Sequence, residues 1–160
     1  MFKIGFGNDI HQLETGKKLI LGGVEIPSQI GAVGHSDADC LTHAVTDALL
    51  GALALGDIGT FFSDKDNQWK NADSFLFLRY TVGLMKEKGF SVGNLDSVIN
   101  LEQPKLRPFI EQMRENLANA LEVEIGCVSI KAKTGEKVDA VGESRAVKAE
   151  AIILLEKSDK

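Results

Sequence analysis

The sequence predicts an α+β layered fold, a mixed β-sheet with helices packed on one face. Three observations carry that expectation. Segments of two-residue period and segments of helical period follow one another in the order β-ββ-α-α-β-α-β-β. The 160 residues, 44% hydrophobic and 26% charged, have the size and balance of one domain with a real apolar core. No repeat, low-complexity tract or linker interrupts them, so residues 1–160 are expected to form a single domain.

The elements follow from local chemistry. Phe2 to Phe6 alternates with small residues and reads as a strand. Leu19-Ile20-Leu21 and Val24-Glu25-Ile26 flank Gly22-Gly23, the signature of a tight hairpin. Pro27 to Gly34 reads as a loop. Ser36 then reads as a helix N-cap with Asp39 as a capping-box variant. Leu41, Val45, Ala48, Leu49 and Ala52 give the helical spacing from Ala38 to Leu55, and Gly56 suits the C′ position. Thr60 to Asn71 is polar and irregular apart from Phe61, Phe62 and Trp69. Asp73 caps a second helix running through Lys88 and closed by Gly89.

Leu95 to Leu101 reads as a strand. Pro104 and Pro108 bracket a loop that opens a third helix, Phe109 to Leu121. Val128 to Ala132 is a strand, Lys133 to Glu143 a polar loop and Ala146 to Leu155 the last strand. Trp69 and Tyr80 read as packing residues.

Composition narrows the function. The net charge is −5 with no Lys/Arg run, which argues against nucleic acid as a partner. No apolar stretch is long enough to span a membrane, and Met1 to Gly5 reads as structure rather than a signal peptide. Cys40 and Cys127 read as small core residues, so a reducing, cytoplasmic setting is expected. A mature plastid protein would read the same way.

Asp9, His11 and His43 are the residues that most directly suggest chemistry. Residues two apart on a strand point to one side, so Asp9 and His11 converge if the first strand or an extended loop continues through them. His43 lies on the first helix, on one face with Asp39 and Asp47 and apart from the Leu41/Val45/Ala48 stripe. One carboxylate and two imidazoles suit a catalytic zinc with an open fourth position. The same set suits a 2-His-1-carboxylate iron, and His43 alone would pass for an ordinary solvated histidine.

Gly34-His35-Ser36-Asp37-Ala38-Asp39 leads from a loop into that helix. The free amides of a helix N-terminus would there attract a phosphate, with His35 and Ser36 as further donors, and ordinary N-capping by Ser36 and Asp37 is compatible with it. Thr134 offers a hydroxyl to a phosphate and Glu136 a carboxylate to Mg²⁺, although a solvated loop explains them equally. Glu102 to Arg107 would shape a base pocket or cap a helix. Gly5-Phe6-Gly7 lacks the third glycine and following helix of a dinucleotide fingerprint.

Together these segments resemble the 2-C-methyl-D-erythritol 2,4-cyclodiphosphate synthases of the non-mevalonate isoprenoid pathway. The resemblance covers nearly the whole chain. Its motifs are Gly5 to His11, Gly22-Gly23-Val24, His35 to Asp39, His43 with Thr46 to Gly51, Ala54 to Gly59, Gln103-Pro104-Lys105 and Lys131 to Thr134 with Glu136-Lys137. It implies a homotrimer with active sites between subunits. It implies zinc on Asp9, His11 and His43, and Mg²⁺ or Mn²⁺ on Glu136. The implied substrate is a cytidine diphosphate-linked methylerythritol phosphate that cyclises with release of CMP. His35, Ser36 and Thr134 would orient phosphates. Asp57, Ile58, Gly59 and Asp64 would line the erythritol pocket. Leu101, Glu102, Gln103, Pro104, Lys105 and Leu106, with Ala132 and Lys133, would cradle the cytidine.

The chain departs from that pattern in two places. Ala140 and Glu143 stand where the family commonly has a phenylalanine and an arginine, beside a central trimer cavity that holds an isoprenoid diphosphate in some members. Arg145 lies nearby. Lys133 replaces a more usual threonine. Two rivals compete with the cyclase: a zinc-dependent phosphohydrolase that activates water, and a binding module with a closed, structural four-ligand metal.

Overall fold

The computed structural model describes residues 1–158. The expected α+β architecture is present, with a five-stranded mixed sheet in the order β4-β1-β7-β5-β6. Its long strands are β1 (Phe2–Thr15), β5 (Phe90–Asn100) and β7 (Ala146–Lys157), and β4 (Ile30–Ala32) and β6 (Val128–Lys133) form the edges. β7 pairs antiparallel with both β1 and β5. β5 and β6 run parallel, which requires a crossover. Helix α4 (Ile110–Leu121) supplies it. The hairpin β2 (Leu19–Leu21) and β3 (Val24–Ile26) turns at Gly22-Gly23, both with positive φ, as expected.

Several boundaries differ from the sequence reading. β1 extends to Thr15 because its polar second half keeps the two-residue alternation that the apolar first half announces. Ile30–Ala32, expected within a loop, pairs as an edge strand with Leu13 to Thr15. Helix α1 spans Cys40–Ala52, shorter than expected, and its N-cap is Asp39 rather than Ser36. Ala54, with φ 56°, takes the left-handed position after α1 that Gly56 was expected to fill. The Thr60 to Asn71 region overlaps a short helix α2 (Ile58–Phe61). Helix α3 (Ser74–Glu87) has Asp73 at its N-cap and Gly89 just beyond its end, as expected. A one-turn helix α5 (Asp139–Gly142) interrupts the polar loop before β7.

The helices cover one face of the sheet. Along β1 the odd-numbered residues Gly5, Gly7 and Leu13 are buried under them, and Phe2, Ile4, Phe6 and Ile10 point to the other, exposed face. Helix α1 lies directly on β1 and β7 and is buried along most of its length. Its contact face is Ala44, Ala48 and Ala52, one turn apart, over Ala149 and Ala151 of β7 and the two glycines of β1. A Cβ at Gly5 would lie 1.7 Å from the Ala48 carbonyl oxygen, and one at Gly7 would lie 2.0 Å from that of Ala44. The Gly5-Phe6-Gly7 motif is thus a close-packing device.

Asp39 anchors the start of α1. It is fully buried. Oδ1 accepts from the amides of Gly22 at 2.9 Å and Thr42 at 3.0 Å, and Oδ2 accepts from Gly23 N and the Thr42 hydroxyl, both at 2.8 Å. All four partners are donors, which is the environment of a carboxylate. One side chain therefore caps α1 and pins the hairpin to it. Cys40 and Cys127 are free thiols, and no helix among the described residues is long and apolar enough to cross a membrane. The Cys40 thiol donates to the Asp9 carbonyl at 3.2 Å, and burial pushes its pKa up.

Gly7→Ala should lower unfolding free energy by about 3 kcal/mol or more, because backbone rather than a flexible side chain must move. Urea denaturation measures this; a loss under about 1 kcal/mol would contradict the packing account.

Candidate functional site

Strand β1 presents Asp9 and His11 on the same face as Gly5 and Gly7, and α1 presents His43 one residue before Ala44. The three side chains meet. Asp9 Oδ2 lies 2.8 Å from His11 Nε2 and 3.0 Å from His43 Nδ1, and the two nitrogens are 3.2 Å apart. Three ligands of a tetrahedral zinc stand about 3.4 Å apart at ordinary bond lengths. The triangle needs to open by only a few tenths of an ångström to take such an ion.

The outer partners of the imidazoles set the tautomers. His11 Nδ1 is 2.8 Å from the Val33 carbonyl, which only accepts, so Nδ1 carries the proton and Nε2 turns its lone pair inward. His43 Nε2 faces the Ser74 hydroxyl at 2.8 Å and the Ser36 hydroxyl at 3.1 Å. Ser74 Oγ donates to Asp37 Oδ1, leaving it an acceptor for His43 Nε2–H. His43 Nδ1 is then an inward lone pair as well. In the neutral tautomers two lone pairs and a carboxylate oxygen converge, a donor set that calls for a cation: a metal ion or, without one, a proton.

The charges respond accordingly. Burial opposes ionisation of Asp9, but the hydrogen bonds and charges of His11 and His43 outweigh it and hold the carboxyl at about 2. Burial likewise opposes a charged His11, and the Asp9 hydrogen bond and charge prevail, raising its pKa. Among the described residues Asp9, His11 and His43 are the one group of His, Cys, Asp or Glu side chains close enough to hold a metal. Protein supplies three ligands, which leaves the fourth position open and disfavours a closed structural site.

The open side faces a cavity of about 420 Å³. Gly34, His35, Ser36, Ile58, Gly59 and Asp64 line it, with an aromatic wall of Phe62, Trp69 and Phe77. Trp69 packs edge-on against Phe62 and Phe77, and it also borders the cavity. The sequence reading missed this wall and the Asp37–Ser74 pair; Asp73-Ser74 was visible only as a helix start. His35 Nε2 is 2.9 Å from the Asp66 carbonyl. Asp57 is turned away as the α2 N-cap, where Oδ1 accepts from the Thr60 amide and hydroxyl, both at 3.0 Å. A Cβ at Gly34 would lie 2.9 Å from Ala38 Cβ and 3.1 Å from His11 Cε1, so a side chain there would press on the His11 ring.

At the start of α1 the cap is the buried Asp39 carboxylate, which accepts the Thr42 amide, where Ser36 and Asp37 were expected to cap. Asp39, His43 and Asp47 follow one another at four-residue spacing along α1 but do not share one environment. Asp39 is buried, and Asp47, whose carboxyl burial lifts, accepts the Ile58 amide at 2.7 Å.

A second cavity of about 710 Å³ lies beyond the carboxyl ends of the parallel strands β5 and β6, a common place for ligands. Leu101, Pro104, Lys105, Leu106, Ala132, Lys133 and Thr134 line it, together with Arg107 and Lys131 from the same two sequence segments and Glu111, which the sequence reading did not single out. Glu102 instead accepts the Gly135 amide at 2.9 Å. Gln103 precedes a cis peptide to Pro104. The Thr134 hydroxyl donates to Glu136 at 2.7 Å, leaving the other oxygen of this exposed carboxylate available. Within one chain the metal triangle and the Glu136 loop border different cavities.

The model of the YgbB family matches residues 2–156. The chain belongs to the YgbB family. The 2-C-methyl-D-erythritol 2,4-cyclodiphosphate synthase of Solibacter usitatus is 52% identical over 155 residues, covering 97% of this chain and 98% of that one. The bifunctional IspDF of Campylobacter jejuni superimposes with a TM-score of 0.95 at 34% identity; the match covers 99% of this chain and 43% of that longer one. IspF of Plasmodium falciparum, in a CDP complex, superimposes with a TM-score of 0.87 at 34% identity over 99% of this chain and 97% of that one.

In the metal-free protein the cluster makes stability depend on pH. The depressed Asp9 carboxyl adds stability above its ordinary 3.8, lost as pH falls through about 2. The raised His11 adds stability below its ordinary 6.5, lost as pH climbs through its folded value. Chelator-treated protein should be most stable between those ordinary values, with Asp9 contributing on the order of 2 kcal/mol. Asp9→Asn should flatten the profile of urea midpoint against pH; identical profiles for the two proteins would contradict the assignment.

Proposed function

We propose that this YgbB-family chain is a 2-C-methyl-D-erythritol 2,4-cyclodiphosphate synthase, a phosphorus–oxygen lyase acting on 4-diphosphocytidyl-2-C-methyl-D-erythritol 2-phosphate. The observation that carries the reading is the Asp9–His11–His43 triangle, open toward a cavity of one phosphorylated sugar's scale. The 2-phosphate oxygen of the substrate forms a bond to the β-phosphorus, the bond from that phosphorus to the bridging oxygen breaks, and CMP departs with the bridging oxygen. The substrate supplies the nucleophile, so the protein's task is positioning and charge neutralisation.

Asp9, His11 and His43 would hold zinc, which when bound supplies Lewis-acid polarisation of a phosphate oxygen. Glu136 would hold Mg²⁺ or Mn²⁺, as one carboxylate commonly does with substrate phosphates, and that ion would supply charge neutralisation. His35 and Ser36 would donate to phosphate from the cavity wall, and Thr134 would do so from the second cavity once its hydroxyl turns from Glu136. Ile58, Gly59 and Asp64 border the erythritol. Leu101 to Leu106, Ala132 and Lys133 receive the cytidine, with Glu102 supporting the Gly135 turn and Asp57 supporting α2.

The two cavities become one site in a homotrimer. The helix-free face of the sheet supports that assembly: Phe2, Ile4, Phe6 and Ile10 on β1 and Ile152 on β7 are each more than half exposed. An apolar face of this kind marks an interface. Arg145 pairs with Glu143 at 2.6 Å, so its charge is already balanced and does not replace the family's arginine. An isoprenoid diphosphate in a central cavity is therefore not part of this reading. The reaction would take place in the cytoplasm.

Phosphorus NMR with the cytidylylated substrate and Mg²⁺ tests the reading. CMP and two coupled cyclic-diphosphate signals should appear together and vanish on zinc removal; CMP with a linear phosphate would instead make the protein a hydrolase. Glu136→Ala should keep zinc and need more Mg²⁺. At the Mg²⁺ level that just saturates wild type, His43→Ala and Glu136→Ala chains should each be nearly inactive yet folded. Co-assembled, they should recover up to about a quarter of wild-type turnover, the share of intact sites in random trimers. No recovery would place each site within one chain.

A further inference from the structure

Asp37 and Ser74 lie behind the metal triangle, on the far side of His43 from Asp9 and His11. Ser74 is fully buried at the first position of α3. Its hydroxyl has one proton and two acceptor sites. Asp37 Oδ1 takes that proton and also accepts the Asp39 amide at 3.1 Å, and Oδ2 accepts the Ser74 amide at 3.1 Å. The Ser74 backbone and side chain thus both grip Asp37, which fixes the direction of the hydroxyl. Toward His43, 2.8 Å away, Ser74 can only accept.

We propose that Asp37 and Ser74 are positioning residues: a carboxylate–hydroxyl–imidazole relay that holds His43 as the Nε2–H tautomer with Nδ1 aimed into the metal triangle. This deepens the metal reading above and rests on it. Ser36, 3.1 Å from the same nitrogen, has no carboxylate behind it. It also accepts the Ala38 amide at 3.3 Å and lies 3.4 Å from Ser74 Oγ, so its proton is not committed to one partner and it orients His43 far less. The relay also ties the start of α3 to the metal ligand on α1. The chain thus spends a buried hydroxyl on orientation that packing of the ring against Phe77, 6.3 Å between centroids, does not provide.

The test compares wild type with Ser74→Ala and Ser36→Ala, each checked for unchanged circular dichroism. Two quantities are read: zinc affinity by chelator competition, and the His43 Nε2 proton by NMR of histidine-labelled, metal-free protein. Ser74→Ala should lose affinity roughly 10- to 100-fold, the usual cost of removing an outer partner of a ligating histidine. It should also lose an exchange-protected Nε2 proton that wild type and Ser36→Ala retain. Unchanged zinc affinity in Ser74→Ala, or a protected proton that survives there, overturns the relay. Absence of zinc binding in wild type would overturn the metal reading instead, and the NMR comparison would still decide the relay.

Discussion

Helix α1 brings His43 to Asp9 and His11 because the strand beneath it carries glycine at positions 5 and 7. Aspartate and histidine have short side chains, so ligands on a helix and a strand meet only when the two backbones come close. Any Cβ at either position would meet main-chain atoms of α1. The alanines at 44, 48, 149 and 151 extend the same thin contact across β7. The two-residue period of β1 then does the rest. Gly5, Gly7, Asp9 and His11 fall on one face, so packing at one end of the strand aims the ligands at the other.

That approach creates an electrostatic problem which the neighbouring residues turn into specificity for a cation. Val33 and Ser74 take the outer protons of the two imidazoles, leaving the inner nitrogens and Asp9 as mutually repelling acceptors. Without an ion the cluster must hold protons, as the raised His11 shows. Asp39 resolves a separate conflict. A buried carboxylate at the start of α1 accepts the Thr42 amide and both hairpin amides, and so joins helix to hairpin.

Legibility in the sequence varied with the kind of signal. Asp-x-His on a strand, the Gly22-Gly23 hairpin and the Asp73-to-Gly89 helix were readable because local periodicity and end residues determine them. The second half of β1 was harder, since Asn8, Asp9, Gln12 and Glu14 lack strand character and are kept extended by pairing with β7 and β4. Ser36 imitates an N-cap, yet its hydroxyl turns to His43 and Ala38 adopts φ 58°, shifting the cap to Asp39. Alternation alone would have buried Phe2, Ile4 and Phe6; the sheet turns its glycines inward instead because the helix needs the space. The link between the metal cavity and the Glu136 loop was carried by resemblance, since no local pattern in one chain encodes contact with another.

The central claim is that three acceptors, turned inward by the outer partners of the imidazoles, converge to hold a metal ion. Anomalous diffraction at the zinc edge from crystals of protein purified without chelator tests it most directly. The account predicts one ion per chain, within about 2.2 Å of Asp9 Oδ2, His11 Nε2 and His43 Nδ1, with a non-protein fourth ligand. A triangle that stays empty when zinc is supplied, or an ion bound through the opposite nitrogen of either histidine, would contradict it.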